Sequence, residues 1–329
     1  MSLPPSEIPL GAMRFNSNSQ KLEYWMGSAW MQIQTFSPNL NGGGRALSMG
    51  GQAPGDINIV EFVTISTQGN ATNFGDLSVT RTQSAGLGSR VRGFCVGGMV
   101  SPGTYKNDID SHEFSSTSDF IDFGDLTATA RLLAAFSSST RGVAAGGQPR
   151  NDVIDYFTMA TTGSSLDFGN LPASDLFGSG LASPTRGLIK DGSDDDNSIS
   201  FVTIATTGNA QDFGDLIVSR GTHVQTAANS TRGIFAGGQT PTAVTTIDFV
   251  TIATLGNGTV FGDLTRSTVE TNAGASDPTR AIFMGNGPGA SDTIDYVAIA
   301  TQGNAVDFGN LSANRTHNCG CSNAHGGLG

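Results

Sequence analysis

A four-residue phrase, Phe-Gly followed by Asp or Asn and then Leu, begins at Phe74, Phe123, Phe168, Phe213, Phe261 and Phe308. Consecutive copies start 49, 45, 45, 48 and 47 residues apart. A period this steady over most of a 329-residue chain restricts the fold to an array of like units, each burying its apolar surface against its neighbours. Within a unit the alternation has period two. In the stretch TIDFVTIA, Ile247 and Phe249 share one side and Asp248 the other, which is the pattern of a strand with two unequal faces. A Gly-Asn turn follows, and the Phe-Gly phrase itself reads as the next strand. The 45 glycines and a hydrophobic content of only 37% suit many short strands joined by turns. A helical solenoid lacks support because no 3.6-residue periodicity is present, and a β-solenoid would use shorter coils.

One unit read in full begins at Arg220: GTHVQTAANST, then RGIFAGGQ, then TTIDFVTIA, a turn, and FGDLT. Each piece reads as a strand. The second strand opens on Arg in all six copies, at Arg45, Arg92, Arg141, Arg186, Arg232 and Arg280, and closes on Gly-Gly in four of them. This order of Arg, small-residue strand, Gly-Gly, apolar strand and aromatic-Leu strand resembles the kelch repeat, although Phe-Gly-Asp-Leu replaces the usual Trp-containing phrase. The resemblance covers residues 45–329. It implies an all-β fold, a six-bladed kelch-like β-propeller of four-stranded units. The first unit lacks an inner strand before Arg45, while a spare segment, THNCGCSNAHG, follows Arg315 and aligns with GTHVQTAANST. The C-terminal segment is therefore expected to supply the first blade's inner strand and close the ring, which would remove an exposed sheet edge.

Residues 1–36 differ in character from the repeat, and SPNLNGGG at 37–44 reads as a linker. The stretch GAMRFNSNSQKLEYWMGSAWMQI predicts a small β-meander. It is similar to a short module, Gly-hydrophobic-Arg-Phe-Asn with Leu-Glu-x-aromatic and Gly-x-x-Trp, found in bacteriophage tail fibres and their adaptors, and the repeat style also resembles propeller proteins of cyanobacterial and marine phages. The resemblance implies a virion component assembled in the host cytoplasm and present in multiple copies. Its expected partners are other tail, fibre or baseplate proteins, with a host surface glycan or protein as a further contact. Too short to bury a core alone, the module is expected to pack on the propeller, on copies of itself or on another protein, with Phe15, Tyr24, Trp25 and Trp30 as the attachment residues.

Charge and motif content narrow the remaining chemistry. With 17 Lys and Arg against 28 Asp and Glu the net charge is -11, and no basic cluster exists to track a phosphate backbone. No nucleic-acid partner is expected. No cationic start with an apolar run suggests a signal peptide, and no apolar stretch is long enough to insert in a membrane. Three cysteines, Cys95, Cys319 and Cys321, are too few for a disulfide framework and point to folding in a reducing compartment or to indifference to redox. His317, Cys319, Cys321 and His325 have spacing that metal ligands could use. Alignment of the cysteines with Ala135 and Ser137 favours small buried packing, so no metal site is expected. DGSDDDNS at 191–198 concentrates carboxylates at Asp191–Asp196 that could gather a Ca²⁺ ion, yet it lacks the spacing of an EF-hand loop. A solvated acidic loop is the simpler reading, and no cofactor is expected.

The repeated Arg and Asp/Asn positions occur in every unit and read as scaffold, so function should sit where the copies differ. That is the loop joining the second and third strands, where Tyr105, Lys106, Arg150, Asp194, Asp195 and Asp196 supply the most distinctive side chains of a candidate binding face. Catalysis is not expected. The alternatives are a carbohydrate-binding or carbohydrate-active propeller and a capsid decoration protein; an enzyme would aim a pair of carboxylates at the axis, and the inner strands offer almost none.

Overall fold

The computed structural model describes residues 8–16, 21–32, 43–174, 177–190, 196–221, 224–268, 273–285 and 289–328. Contacts divide the chain into two units, Met1–Gly42 and Gly43–Gly329, so the division falls inside the expected linker. The first unit is an antiparallel sheet of β1 (Met13–Asn16), β2 (Lys21–Trp25) and β3 (Trp30–Gln32) in the order β1-β2-β3.

Among its described residues the second unit is all β apart from a 3-10 turn at Gly326–Leu328, with six antiparallel four-stranded sheets, an arrangement compatible with a β-propeller-like fold. Sheet I is Cys319–Ser322, Arg45–Met49, Ile59–Thr64 and Thr72–Asp76; sheet II is Ala85–Gly88, Arg92–Val96, Asp108–Glu113 and Ile121–Asp125. Sheet III is Ala134–Ser137, Arg141–Ala145, Val153–Thr158 and Leu166–Asn170; sheet IV is Ser179–Ala182, Arg186–Lys190, Ser198–Thr203 and Gln211–Asp215. Sheet V is Gln225–Ala228, Arg232–Ala236, Val244–Thr251 and Thr259–Thr268; sheet VI is Gly274–Ser276, Arg280–Met284, Ser291–Ala298 and Val306–Arg315. The C-terminal strand pairs with Arg45–Met49, from Cys319 opposite Met49 to Ser322 opposite Ala46. The segment left over in the sequence thus occupies the place missing from the first unit. First strands of successive sheets touch, and that of sheet VI touches Cys319–Ser322.

Apolar side chains fill the spaces between sheets. One cluster joins Leu188, Ile199 and Phe213 of sheet IV to Phe235 and Val250 of sheet V, and another joins Ala46 and Val63 of sheet I to Ile282 and Phe308 of sheet VI. The six Phe residues of the repeated phrase are at most 3% exposed. In five sheets this ring meets the aromatic of the third strand edge-on at 5.8–6.2 Å between centroids, as in Phe201 and Phe213. Sheet II has Ser111 at that third-strand position, and there Phe123 packs on Phe94 and Phe157 instead.

The Phe-Gly phrase also joins each sheet to the next. Gly256 donates its amide to the Phe213 carbonyl at 3.0 Å, Gly258 to the Asp215 carbonyl at 2.6 Å, and the Asn257 side-chain oxygen accepts the Asp215 amide at 3.1 Å. The same bonds run from the turn of sheet I to sheet VI: Gly69 to Phe308 at 3.0 Å, Ala71 to Asn310 at 2.8 Å, and Asn310 to Asn70 at 3.0 Å. A Cβ on Gly214 would sit 2.6 Å from the Gly256 carbonyl oxygen, which is why the phrase requires glycine there. The Arg that opens the second strand acts across the same boundary. Arg186 stacks over Phe201 of its own sheet, 4.6 Å from the ring centroid, and donates to the Ile252 carbonyl of sheet V. Arg141, Arg232 and Arg280 repeat this, the last reaching Ile65 of sheet I.

The acid on the polar side of the third strand is shut off from solvent. Asp248 is fully buried, because neighbouring sheets cover both faces of each sheet, and it pairs with the fully buried Arg220 of the preceding connector. Burial pushes the Asp248 carboxyl up against the pull of Arg220. Arg81 with Asp110, at 2.6 Å, and Arg315 with Glu61 are equivalent pairs. Removing one member of such a pair leaves the other charge buried and uncompensated. Asp248→Ala is therefore expected to lower the unfolding free energy by about 3 to 5 kcal/mol, while Arg220→Met combined with Asp248→Leu recovers most of the loss. Chemical denaturation of the three proteins checks this; an Asp248→Ala protein as stable as the parent would contradict it.

Candidate functional site

The loops between second and third strands carry the sequence-derived binding residues, and the structure separates those residues into different roles. Tyr105 belongs to a short hairpin within the loop of sheet II, Met99–Val100 paired with Thr104–Tyr105. Its ring lies 5.0 Å from the Arg131 guanidinium, which Gln83 and Gln148 hold at 2.8 and 2.7 Å. Lys106 pairs with Asp108 at 3.1 Å, and both keep part of their surface in solvent. Exposed pairs of this kind contribute little to stability and are available to a partner.

Arg150 does not belong to this face. It is buried, with its guanidinium 3.2 Å from the Asp155 carboxylate, which also accepts hydrogen bonds from the Thr127 and Ser165 hydroxyls. The physical reason lies in the preceding connector. Arg81, Arg220 and Arg315 each stand four residues after the Leu of a Phe-Gly-(Asp/Asn)-Leu phrase, whereas Ala130 has that place before sheet III. Asp155 would otherwise be a buried carboxylate without a cation, and Arg150 reaches back from the loop to supply one.

Asp194 and Asp195, with the rest of Asp191–Asp195, lie outside the described residues, so their placement does not enter here. Asp196 caps the loop locally, accepting the Ser198 amide at 2.9 Å and its hydroxyl at 2.7 Å. Burial pushes its carboxyl up, but these bonds outweigh burial and hold it below the usual range. Among the described residues no group of three or more His, Cys, Asp or Glu side chains converges as a metal site. Between the loops of sheets I and VI, a shallow cleft of about 440 Å³ is lined by Gln52, Pro54, Asn314 and Thr316.

The six first strands converge on a cavity of only about 50 Å³, lined largely by Gly, Ala and Ser together with His325. Approach is close: a Cβ on Gly86 would lie 2.3 Å from the Gly320 carbonyl oxygen. Cys319 and Cys321 are buried in this packing, as their alignment with small residues predicts. The Cys319 sulfur lies 3.9 Å from that of Cys95 and 3.3 Å from the Ser84 hydroxyl. Burial pushes the Cys321 thiol up, which keeps it protonated and unreactive. His317 lies in the connector before this strand, where its Nδ1 is 3.0 Å from the Thr316 hydroxyl.

After Ser322 the chain folds back as Gly326–Leu328 and packs against the first strands of sheets III, IV and V. His325 anchors it. Its Nε2 lies 2.7 Å from the Gly88 carbonyl and its Nδ1 accepts the Gly327 amide at 3.1 Å, a pattern satisfied by the neutral Nε2-protonated ring. Arg90 donates to the Leu328 carbonyl at 2.9 Å. Burial, with the nearby Arg90 charge, moves the His325 pKa down to about 4.

In the N-terminal unit the expected anchors divide between two faces. Cross-strand partners share a face, so Met13, Tyr24 and Met31 form one row and Phe15 with Leu22 another; all five are exposed. Trp25 and Trp30 pair on the opposite face, where the Arg14 guanidinium covers Trp30 at 4.1 Å and bonds to Glu23 at 2.9 Å. Trp25 is 6% exposed, so its ring is not open to a partner as an anchor would be. No protein-family model matches the chain, and the search of curated proteins finds no match.

Two outcomes are expected. Arg150→Ala should destabilise by about 3 kcal/mol or more because it strands Asp155, whereas Tyr105→Ala and Lys106→Ala should each stay within about 1 kcal/mol; thermal and chemical unfolding compare them. For His325 the sign follows from its lowered pKa: the unfolded chain takes up the proton first, so its contribution is complete above the ordinary value of 6.5 and is lost as pH falls toward 4. Its ceiling is about 3 kcal/mol, reduced because the ring keeps some solvent contact. Unfolding measured across that window should show a shallower pH dependence in His325→Asn.

Proposed function

We propose that this chain is a non-enzymatic phage virion protein of the tail or fibre apparatus, built as a six-bladed kelch-like propeller that the C-terminal strand closes, with an N-terminal attachment module. The observation that carries the reading is the contrast between the two units. In the larger one the repeated residues are consumed by contacts between sheets, as in the bonds from Gly256 to Phe213 and from Gly69 to Phe308. In the smaller one Met13, Phe15, Leu22, Tyr24 and Met31 face solvent together. A rigid body carrying an uncovered apolar sheet is the form expected of a part that docks.

Closure is supported by the pairing of Cys319–Ser322 with Arg45–Met49 and by the bonds that join sheet VI to sheet I. Other tail, fibre or baseplate subunits are the proposed docking partners, and Tyr105 and Lys106 sit on the loop face that would contact a host receptor. A glycan-binding reading has one supporting feature, the cleft lined by Gln52, Asn314 and Thr316, whose amides and hydroxyl suit sugar hydroxyls.

Deleting residues 1–36 tests the virion reading. The remaining chain should keep the β-sheet circular dichroism and cooperative melting of the parent yet be absent from purified particles, as judged by quantitative mass spectrometry. Normal incorporation of that truncated chain would overturn attachment through the N-terminal unit.

A further inference from the structure

The register of the N-terminal sheet puts Met13 opposite Tyr24 and Tyr24 opposite Met31, with Phe15 opposite Leu22 beside them. Trp25 pairs with Trp30, and Met26 donates its amide to Ala29 across the Gly27-Ser28 turn, so Met26 continues the Leu22 and Tyr24 row. These six side chains are 37–67% exposed. The charges of Arg14 and Glu23 fall on the other face, where they pair with each other. What results is one sheet face made of Met, Phe, Leu and Tyr.

We propose that this face packs on the same face of a second copy of the chain, forming a dimer through a two-layer sandwich of three-stranded sheets. Area selects this occupant. Six large side chains at that exposure leave roughly 700 Å² of accessible surface, which exceeds the largest apolar patch usual for a monomer and approaches the ~800 Å² that each partner contributes to a stable interface. Chemistry selects it as well. A two-fold interface must be self-complementary, and an uncharged apolar face meets that condition without matching any ion pair. Packing two such sheets about 10 Å apart also supplies the core that a single three-stranded sheet of this size lacks.

Dimerisation stands independently of the virion reading, and the experiment keeps the two apart. Sedimentation velocity of the full chain over a wide concentration range should show a species of twice 33.8 kDa. Phe15→Glu combined with Tyr24→Glu should sediment as a monomer with unchanged melting of the larger unit, and Arg14→Gln on the opposite face should remain dimeric. A parent chain that is monomeric throughout overturns the proposal. So does a dimer that survives the double substitution, or a trimer that it dissolves. A dimer that never enters particles would sink the virion reading alone, and a monomer that enters them normally would sink only this one.

Discussion

The fold depends on what happens at the outer edge of each sheet. A fourth strand ends a sheet and would present unpaired amides and carbonyls, a template for aggregation. Here the Phe-Gly-(Asp/Asn) segment hands those groups to the Gly-Asn turn of the following unit, with Gly256 bonding to Phe213 and Asn257 receiving Asp215. The bond works only because the strand can approach the turn closely, hence glycine, and because the turn side chain can accept, hence Asn or Asp at five boundaries and Ser164 at the sixth. Everything else at the boundary is arranged around this contact. The Phe ring fills the space beneath it, and the Arg opening the second strand reaches a carbonyl just after the third strand of the next sheet, as Arg186 does at Ile252.

Much of this architecture is legible in the sequence because it is local and repeated. The four pieces of each unit, their order and the leftover segment after Arg315 can be read from spacing, and Cys319–Ser322 does pair with Arg45–Met49. The connector Arg and third-strand acid are harder to read, since partners such as Arg220 and Asp248 belong to different units and neither looks unusual alone. The missing signal was positional. Arg81, Arg220 and Arg315 share one offset from the preceding Leu, and the Ala130 exception marks where a substitute must be found, which identifies Arg150 as buried. In the N-terminal unit the alternation separates Phe15 and Tyr24 from Trp25 and Trp30, but alternation alone does not say which face is covered. Stacking of Arg14 over Trp30 and its bond to Glu23 decide that.

The variation among these buried pairs bears on how six near-identical units find their correct neighbours. Long repeats risk pairing with the wrong copy, since each apolar surface resembles the others. A buried ion pair gives little net stability over apolar packing, yet breaking one is costly. Three pairs follow one plan, Arg81 with Asp110, Arg220 with Asp248 and Arg315 with Glu61, and the other three sheets depart from it. Sheet I presents Glu61 to Arg315, and sheet III presents Asp155 to an Arg from its own loop. Before sheet VI the offset changes again: Arg266 bonds to the Gly285 and Thr293 carbonyls while Thr265 holds Asp295. Sheet IV has Ser200 in the acid's position, and its buried Lys190 donates to the Arg220 carbonyl. A connector of one kind docked on a sheet of the other kind would leave a carboxylate or a guanidinium buried without its partner. The apolar repeat thus supplies the drive to stack, and the irregular charges penalise stacking in the wrong order.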